Sequence, residues 1–312
     1  MKIISFVFSF KNEEKNLEEL IKRVHDSVNK LDNYKYELIF VNDASDDDSE
    51  KILEKLQKTY PITIINMSRT FGVGPCVLAG FKSVSGDCVI YMDSDLQDPP
   101  EILNKLITEY ENGAEIVHTV RTKRLGESKI KVLTTKIAYR IINFFSDIQL
   151  PTEAGDFKLI SKKALEKILE QSEFRPYIRG LSVWVGFKQS FVKYVREARG
   201  SGETKFPLFS AGPIIQFTNG VTAYSLKPLY VGIILGLLSL VFSICLIFYT
   251  LYMKFSNLAV PGTASIIITV SFFSGIILIT LGVMSIYLAR IFEEVRGRSS
   301  YVIKNIKKSN SV

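Results

Sequence analysis

Two stretches of the chain carry no charged side chain, Leu229 to Met253 and Thr263 to Ala289. A helix of about 25 residues reaches roughly 37 Å, enough for a hydrocarbon core of about 30 Å with some tilt. Soluble core helices almost never stay uncharged for so long, so the pair reads as two membrane spans. The connector, roughly Lys254 to Gly262, is short, which makes the spans a hairpin with both outer ends on one side. Lys227 precedes the first span, and Arg290, Arg296, Arg298, Lys304, Lys307 and Lys308 follow the second, whereas the connector offers only Lys254. The positive-inside rule then puts the N-terminal domain and the tail in the cytoplasm.

The rest of the composition narrows the function. Cys76, Cys88 and Cys245 are scattered and odd in number, which argues for a reducing compartment rather than a disulfide framework. With His25 and His118 the only histidines, a metal is expected to be held by oxygen. The formal charge of +7 suits phosphorylated metabolites or anionic lipid. No motif of a nucleic-acid binder accompanies that charge. The opening MKIISFVFSF ends at Lys11-Asn12-Glu13-Glu14 without a small-residue cleavage site, so it reads as a buried strand and not a signal peptide.

Before the spans, strand and helix signals alternate. Strands are expected at Ile3–Phe10, Tyr36–Val41, Ile62–Asn66, Cys88–Met92 and Glu115–Val120. Between them, helices are expected over Leu17–Leu31, Ser49–Thr59, Pro75–Val84 and Pro99–Asn112. Such alternation implies a mostly parallel α/β sheet, whose ligands sit beyond the carboxyl ends of its strands. Asp43, Asp93 and Asp95 fall at those ends. In extended conformation Asp93 and Asp95, two apart, project to the same side and suit Mg²⁺ or Mn²⁺. Asp98, before Pro99-Pro100 and Glu101, reads as a helix N-cap. Ile130, Leu133, Ile137, Ile141 and Phe144 recur at helical spacing among Lys129, Lys136 and Arg140, the pattern of an interfacial helix over about 128–146 or of a core-packing one. Trp184 is expected in domain packing, and neither histidine in catalysis.

The segments FVNDASDDDS, YMDSDLQDPPE, AGDFKLISKKAL, IRGLSVWVGF, RGSGETKFPL and YLARIFEEVRGR, in this order, resemble the successive motifs of family 2 glycosyltransferases acting on polyprenyl phosphate. The resemblance implies a GT-A (Rossmann-like) domain over 1–205, an interfacial segment over 206–227, the hairpin over 228–289 and a basic cytoplasmic tail over 290–312. It implies inverting transfer from a nucleotide-sugar, UDP-glucose first among the candidates, to undecaprenyl phosphate at a bacterial inner membrane, with Mg²⁺ or Mn²⁺ and a possible homotetramer. By the same similarity Ser9, Glu13, Asp43 and Asp93 bind the nucleotide-sugar, Asp93 and Asp95 the metal, and Asp156 is the catalytic carboxylate. Arg121, Lys131, Arg199 and Lys205 fall where the lipid phosphate is met. The chain departs from the pattern at Ser9, Lys11, Asn42, Ala44, Thr70 and Val73, all on the donor side. The rival readings are an aspartate-based D-x-D phosphohydrolase, whose motif belongs after a first strand, and a non-catalytic membrane scaffold with a nucleotide-binding domain.

Overall fold

The computed structural model describes residues 1–124, 129–151, 154–171, 173–174, 176–197, 211–256 and 262–309. The first half follows the expected alternation: β1 (Lys2–Phe10), α1 (Leu17–Val28), β2 (Tyr34–Asn42), α2 (Ser49–Leu56), β3 (Ile62–Met67), α3 (Val73–Phe81) and β4 (Cys88–Tyr91). A single 3₁₀ turn, Pro100–Ile102, leads into α4 (Leu103–Glu111), and β5 (Ile116–Arg124), α5 (Lys129–Phe145), β6 (Ala154–Ser161), α6 (Lys162–Glu170), α7 (Ile178–Trp184) and β7 (Gln189–Arg196) complete the N-terminal part. Then come α8 (Ala211–Thr222), α9 (Lys227–Phe255), α10 (Thr263–Val295) and β8 (Ile303–Lys308).

The sheet runs β7-β5-β6-β4-β1-β2-β3-β8. β1 pairs in parallel with β2 and β4, β2 with β3, and β5 with β7, whereas β6 lies antiparallel between β4 and β5. Alternation along β1 builds the core on both faces. Ile4, Phe6, Phe8 and Phe10 pack with α1, α2 and α4, and Phe8 stacks on Phe40 at 4.6 Å between ring centroids. Val7 faces α3 on the other side, among Ile39, Val41 and Cys76. There Gly80 allows close approach, because a Cβ on it would stand 2.4 Å from the Val7 Cγ1.

The antiparallel insertion of β6 shapes the molecule's business edge. Tyr91 of β4 pairs with Lys158, so the N-terminal end of β6, with Asp156, lies beyond the carboxyl end of β4. The carboxyl ends of β1, β2, β4, β5 and β7 meet it along the same edge.

The stretch read as a basic tail contains β8, which adds antiparallel to the β3 edge. It is bolted in place by side chains as well. Asn42, Asn66 and Asn305 form an amide ladder across β2, β3 and β8, with links of 2.9 and 2.8 Å. Lys307 pairs with Glu50 at 2.7 Å and also with Glu54, both on α2. Asn42, one of the departures from the resembled pattern, is thus a rung of this ladder.

α9 and α10 pack antiparallel, Gly232 against Thr280 and Phe242 against Phe272, with the apolar outer surface exposed. Both contain a segment long and apolar enough to cross a membrane, Lys227–Met253 and Ile268–Val295. Their base is fixed to the preceding part of the chain. Tyr287 donates to the Ser225 carbonyl at 2.7 Å, Lys227 pairs with Asp147 at 3.0 Å, and the Phe174 N–H donates to Glu294 at 2.9 Å. α10 runs beyond the uncharged stretch to Val295 to make the last of these contacts.

α5 separates the two readings of its amphipathic pattern. Leu133, Ile137, Ile141 and Phe144 are exposed, while Tyr139 and Ile142 on the opposite side pack with Phe217 and Val221 of α8. The stripe is an outward apolar ridge and not a core face.

Candidate active site

The sequence joins strand ends to short loops, and the fold gathers those loops at one edge. β4 stops at Tyr91, and Leu96 takes a left-handed φ of 62°, so the loop carrying Asp93 and Asp95 bends sharply. The extended-strand argument for their common orientation therefore does not apply. Asp93 is partly exposed and lies 3.7 Å from the Arg196 guanidinium. Asp95 is nearly buried, and one of its oxygens accepts from the Gln97 N–H at 3.2 Å.

Asp98 is not the expected N-cap. No side chain caps the Pro100–Ile102 turn. Asp98 is fully buried, accepts from the Tyr194 hydroxyl, and lies 3.3 Å from Arg196 Nε and 3.8 Å from Arg121 Nη2. Arg121 also donates to the Tyr194 hydroxyl at 3.0 Å. The two arginines enter from the ends of β5 and β7, and a buried guanidinium needs an anion more than a helix turn needs a cap. Asp98 thus anchors Arg196, which in turn reaches Asp93.

Asp156 lies at the other side of this cluster. Both its oxygens accept from Arg179 of α7, Nε to Oδ1 at 2.8 Å and Nη2 to Oδ2, and Arg179 Nη1 donates to the Tyr139 hydroxyl of α5 at 2.7 Å. Burial alone would raise the Asp156 carboxyl, yet Arg179, with help from Lys158 and Arg121, holds it well below the usual carboxylate range. Asp93 behaves oppositely. Burial, then the charges of Asp156, Asp98 and Asp95, push its carboxyl upward, and Arg196 offsets them only in part. Gly155 lets Arg121 lie directly beneath the Asp156 end of β6, since a Cβ there would fall 2.5 Å from Arg121 Nη2.

A divalent cation suits this donor set. Several carboxylates repelling one another around Asp93 are what such an ion relieves. Among the described residues no three or more His, Cys, Asp or Glu side chains enclose a metal position. Mg²⁺ needs no such cage when substrate phosphates and water complete its shell.

The donor side is built at β1 and β2. Asp43 accepts from the Phe71 N–H at 2.7 Å and the Gly72 N–H at 3.0 Å, so it shapes the loop before α3 while keeping lone pairs to spare. Ala44, another departure from the resembled pattern, sits at a left-handed φ of 56°. The Ser9 carbonyl accepts from Ser94 at 3.3 Å, tying β1 to the Asp93 loop. Glu13 is buried, and its carboxylate accepts from Asn16 at 2.6 Å.

Of the cationic residues expected at the acceptor, Arg121 is buried in the Asp98 cluster. Lys131 lies in α5, but its side chain is outside the described residues, as are Arg199 and Lys205. Arg179, Arg196 and Lys158 were not singled out from the sequence. Arg179 stands in IRGLSVWVGF and Lys158 in AGDFKLISKKAL, so motif membership was the only available signal. Trp184 stands 50% exposed instead of packed within the domain. His118 is buried against Gln189, and burial followed by Lys158 lowers it to about 3, which keeps it neutral. His25 is engaged by Tyr36 and Asn29.

Residues 5–169 match the family model described as Glycosyl transferase family 2. The chain is 37% identical to the uncharacterized glycosyltransferase YkcC of Bacillus subtilis, over 96% of this chain and 93% of that protein. It is 36% identical to the uncharacterized glycosyltransferase sll0501 of Synechocystis, over 97% and 95%. With the prophage bactoprenol glucosyl transferase homolog of Escherichia coli K12 it shares 32% identity over 98% and 99%.

Proposed function

The chain belongs to glycosyl transferase family 2, and from that membership we propose that it moves a sugar from a nucleotide-sugar to polyprenyl phosphate with inversion at the anomeric carbon. UDP-glucose and undecaprenyl phosphate are the first choices, in keeping with the bactoprenol glucosyl transferase homolog named above. The carrying observation is the meeting of Asp156, Arg179 and Tyr139 at the edge occupied by Asp93, with Tyr139 on the helix whose outer ridge is apolar. A reacting edge so close to an apolar surface suits an acceptor whose phosphate sits at headgroup depth.

In this reading the catalytic half lies in the cytoplasm of a bacterium, α5 rests in the membrane interface, and α9 and α10 span the inner membrane. Ser9, Glu13 and Asp43 contribute to the nucleotide side. Asp93 and Asp95 would hold Mg²⁺ or Mn²⁺, which supplies positive charge to the departing diphosphate. A phosphate oxygen bonds to the anomeric carbon, the bond to the diphosphate oxygen breaks, and its electron pair leaves with the nucleoside diphosphate. A phosphate monoester is largely dianionic at neutral pH, so no strong base is needed. An Asp156 that already holds Arg179 and resists protonation fits an orienting role. Arg121 supports that end of β6 from below, and Lys131, Arg199 and Lys205 remain proposed acceptor contacts.

The test uses membranes containing the protein, undecaprenyl phosphate, and radiolabelled UDP-glucose, UDP-N-acetylglucosamine or GDP-mannose, with and without Mn²⁺. A labelled lipid labile to mild acid is expected, and Asp95→Ala is expected to abolish it. Release of inorganic phosphate without transfer overturns the reading, and wild-type turnover by Asp95→Ala overturns its metal.

A further inference from the structure

Arg179 and its partners Asp156 and Tyr139 come from three elements, α7, β6 and α5. The short elbow between α8 and α9, residues 223–226, meets two of them. The Tyr224 ring lies in a notch of α7 left open at Gly180, the residue after Arg179. A Cβ on Gly180 would stand 2.7 Å from Tyr224 Cζ, closer still to its Cε2, and 2.8 Å from Tyr177 Cδ1. Carbon atoms in ordinary contact are roughly 3.5 Å or more apart, so the notch admits glycine and no larger residue. The Tyr224 hydroxyl donates to the Tyr177 carbonyl at 3.3 Å, just before α7 starts. The Tyr224 carbonyl accepts from the Asp147 N–H at 3.0 Å, two residues past the end of α5, the helix that carries Tyr139.

The elbow itself is fixed from the hairpin. Ser225 is buried, and its carbonyl accepts from Tyr287 of α10 at 2.7 Å. Lys227, the first residue of α9, pairs with Asp147 at 3.0 Å and donates to the Ser146 carbonyl at 3.3 Å. Phe217 and Val221 of α8 share one apolar cluster with Tyr139 and Tyr177. Tyr224 thus joins the apolar hairpin to the helix that carries Arg179 and to the end of the helix that carries Tyr139.

We infer that Tyr224 is a positioning residue: its ring seats α7 against the base of the hairpin and so sets where Arg179 holds Asp156. This rests on the transfer proposed above, in which Asp156 has an orienting role. Packed interiors transmit strain, so a ring forced out of the notch carries α7 with it. A misplacement of about 1 Å can cost about 100-fold in rate. The donor side is built at β1 and β2 from other contacts, so the loss falls on turnover and spares the nucleotide.

Trp184, the one tryptophan in the chain, ends α7 and reports on its seat without any turnover. The full-length protein in detergent is compared with Gly180→Ala, Tyr224→Ala and Tyr224→Phe by acrylamide quenching of Trp184, by calorimetric titration with UDP, and by transfer of label to undecaprenyl phosphate. Gly180→Ala and Tyr224→Ala are expected to raise Trp184 quenching and to lower kcat, counted per UDP-binding site, about tenfold to a hundredfold, while KM for the nucleotide-sugar stays within about twofold. Tyr224→Phe keeps the ring and gives up one long hydrogen bond, so it is expected to rescue most of kcat with quenching close to wild type. Wild-type kcat per site in both Gly180→Ala and Tyr224→Ala overturns the inference alone. A loss confined to the number of UDP-binding sites does the same, because it marks a residue needed only for folding. Unchanged Trp184 quenching in both variants overturns the seat whether or not label is transferred. Wild-type protein that binds UDP and labels no lipid overturns the functional reading itself, and the role in transfer with it.

Discussion

Replacing Lys158 by methionine is expected to make the protein more stable at neutral pH. Methionine keeps most of the stem's volume and discards the ammonium. The folded-state value of about 8 lies below the 10.5 of an ordinary lysine, so the charged form is disfavoured in the fold. At about 1.4 kcal/mol per pH unit the difference amounts to about 3 kcal/mol. Its sign follows from proton counting. Between about 8 and 10.5 the unfolded chain binds more protons, so wild-type stability rises with pH across that window and the full penalty applies below it. The variant lacks this dependence. Its advantage should be greatest at pH 7 and shrink towards pH 10. In a chain this large each kcal/mol moves the midpoint by roughly 2–4 °C, so a gain of about 6–12 °C is expected. Thermal scans of both proteins in one detergent, at one rate, from pH 7 to 10, provide the readout. A variant that melts lower at pH 7, or a gap that does not narrow above pH 8, refutes the reasoning.

Other perturbations separate the remaining clusters. Asp98→Ala removes the buried anion facing Arg121 and Arg196, and a loss of about 3–5 kcal/mol is expected, measured as a lower melting midpoint. Ala44→Gly relieves a left-handed backbone worth about 1–2 kcal/mol, offset in part by glycine's extra freedom when unfolded, so a net gain of up to about 1 kcal/mol should appear in the same scan. Ending the chain at Arg298 removes β8 and bares the β3 edge, with aggregation expected by size-exclusion chromatography. Lys307→Ala alone should cost no more than about 1 kcal/mol, because its pairs with Glu50 and Glu54 are partly exposed.

The alternation from β1 to β4 was legible because each strand is an apolar run and each helix repeats its apolar positions with a different period. Strand direction was not. Ala154–Ser161 would read alike in either orientation, and its antiparallel insertion depends on contacts with β4 and β5 that no local pattern records. Asp98 misled for a related reason. Its neighbours Pro99, Pro100 and Glu101 spell a helix start, while its true partners, Arg121 and Arg196, are distant in sequence. The same holds for Arg179, which meets Asp156 only after the chain has passed through α6. β8 was hidden by composition. Lys304, Lys307 and Lys308 look like a solvated tail, yet lysines are also what an outermost strand uses to discourage further pairing.

The ladder joining Asn42, Asn66 and Asn305 has a consequence for biogenesis. Its last rung, Asn305, lies C-terminal to both apolar helices, so the β3 margin stays open until α9 and α10 have been synthesised. Closure of the sheet thus waits on the whole of α9 and α10, and the two parts of the fold mature together. A chain lacking that closing strand presents an unzipped β3 margin, open to pairing with another chain.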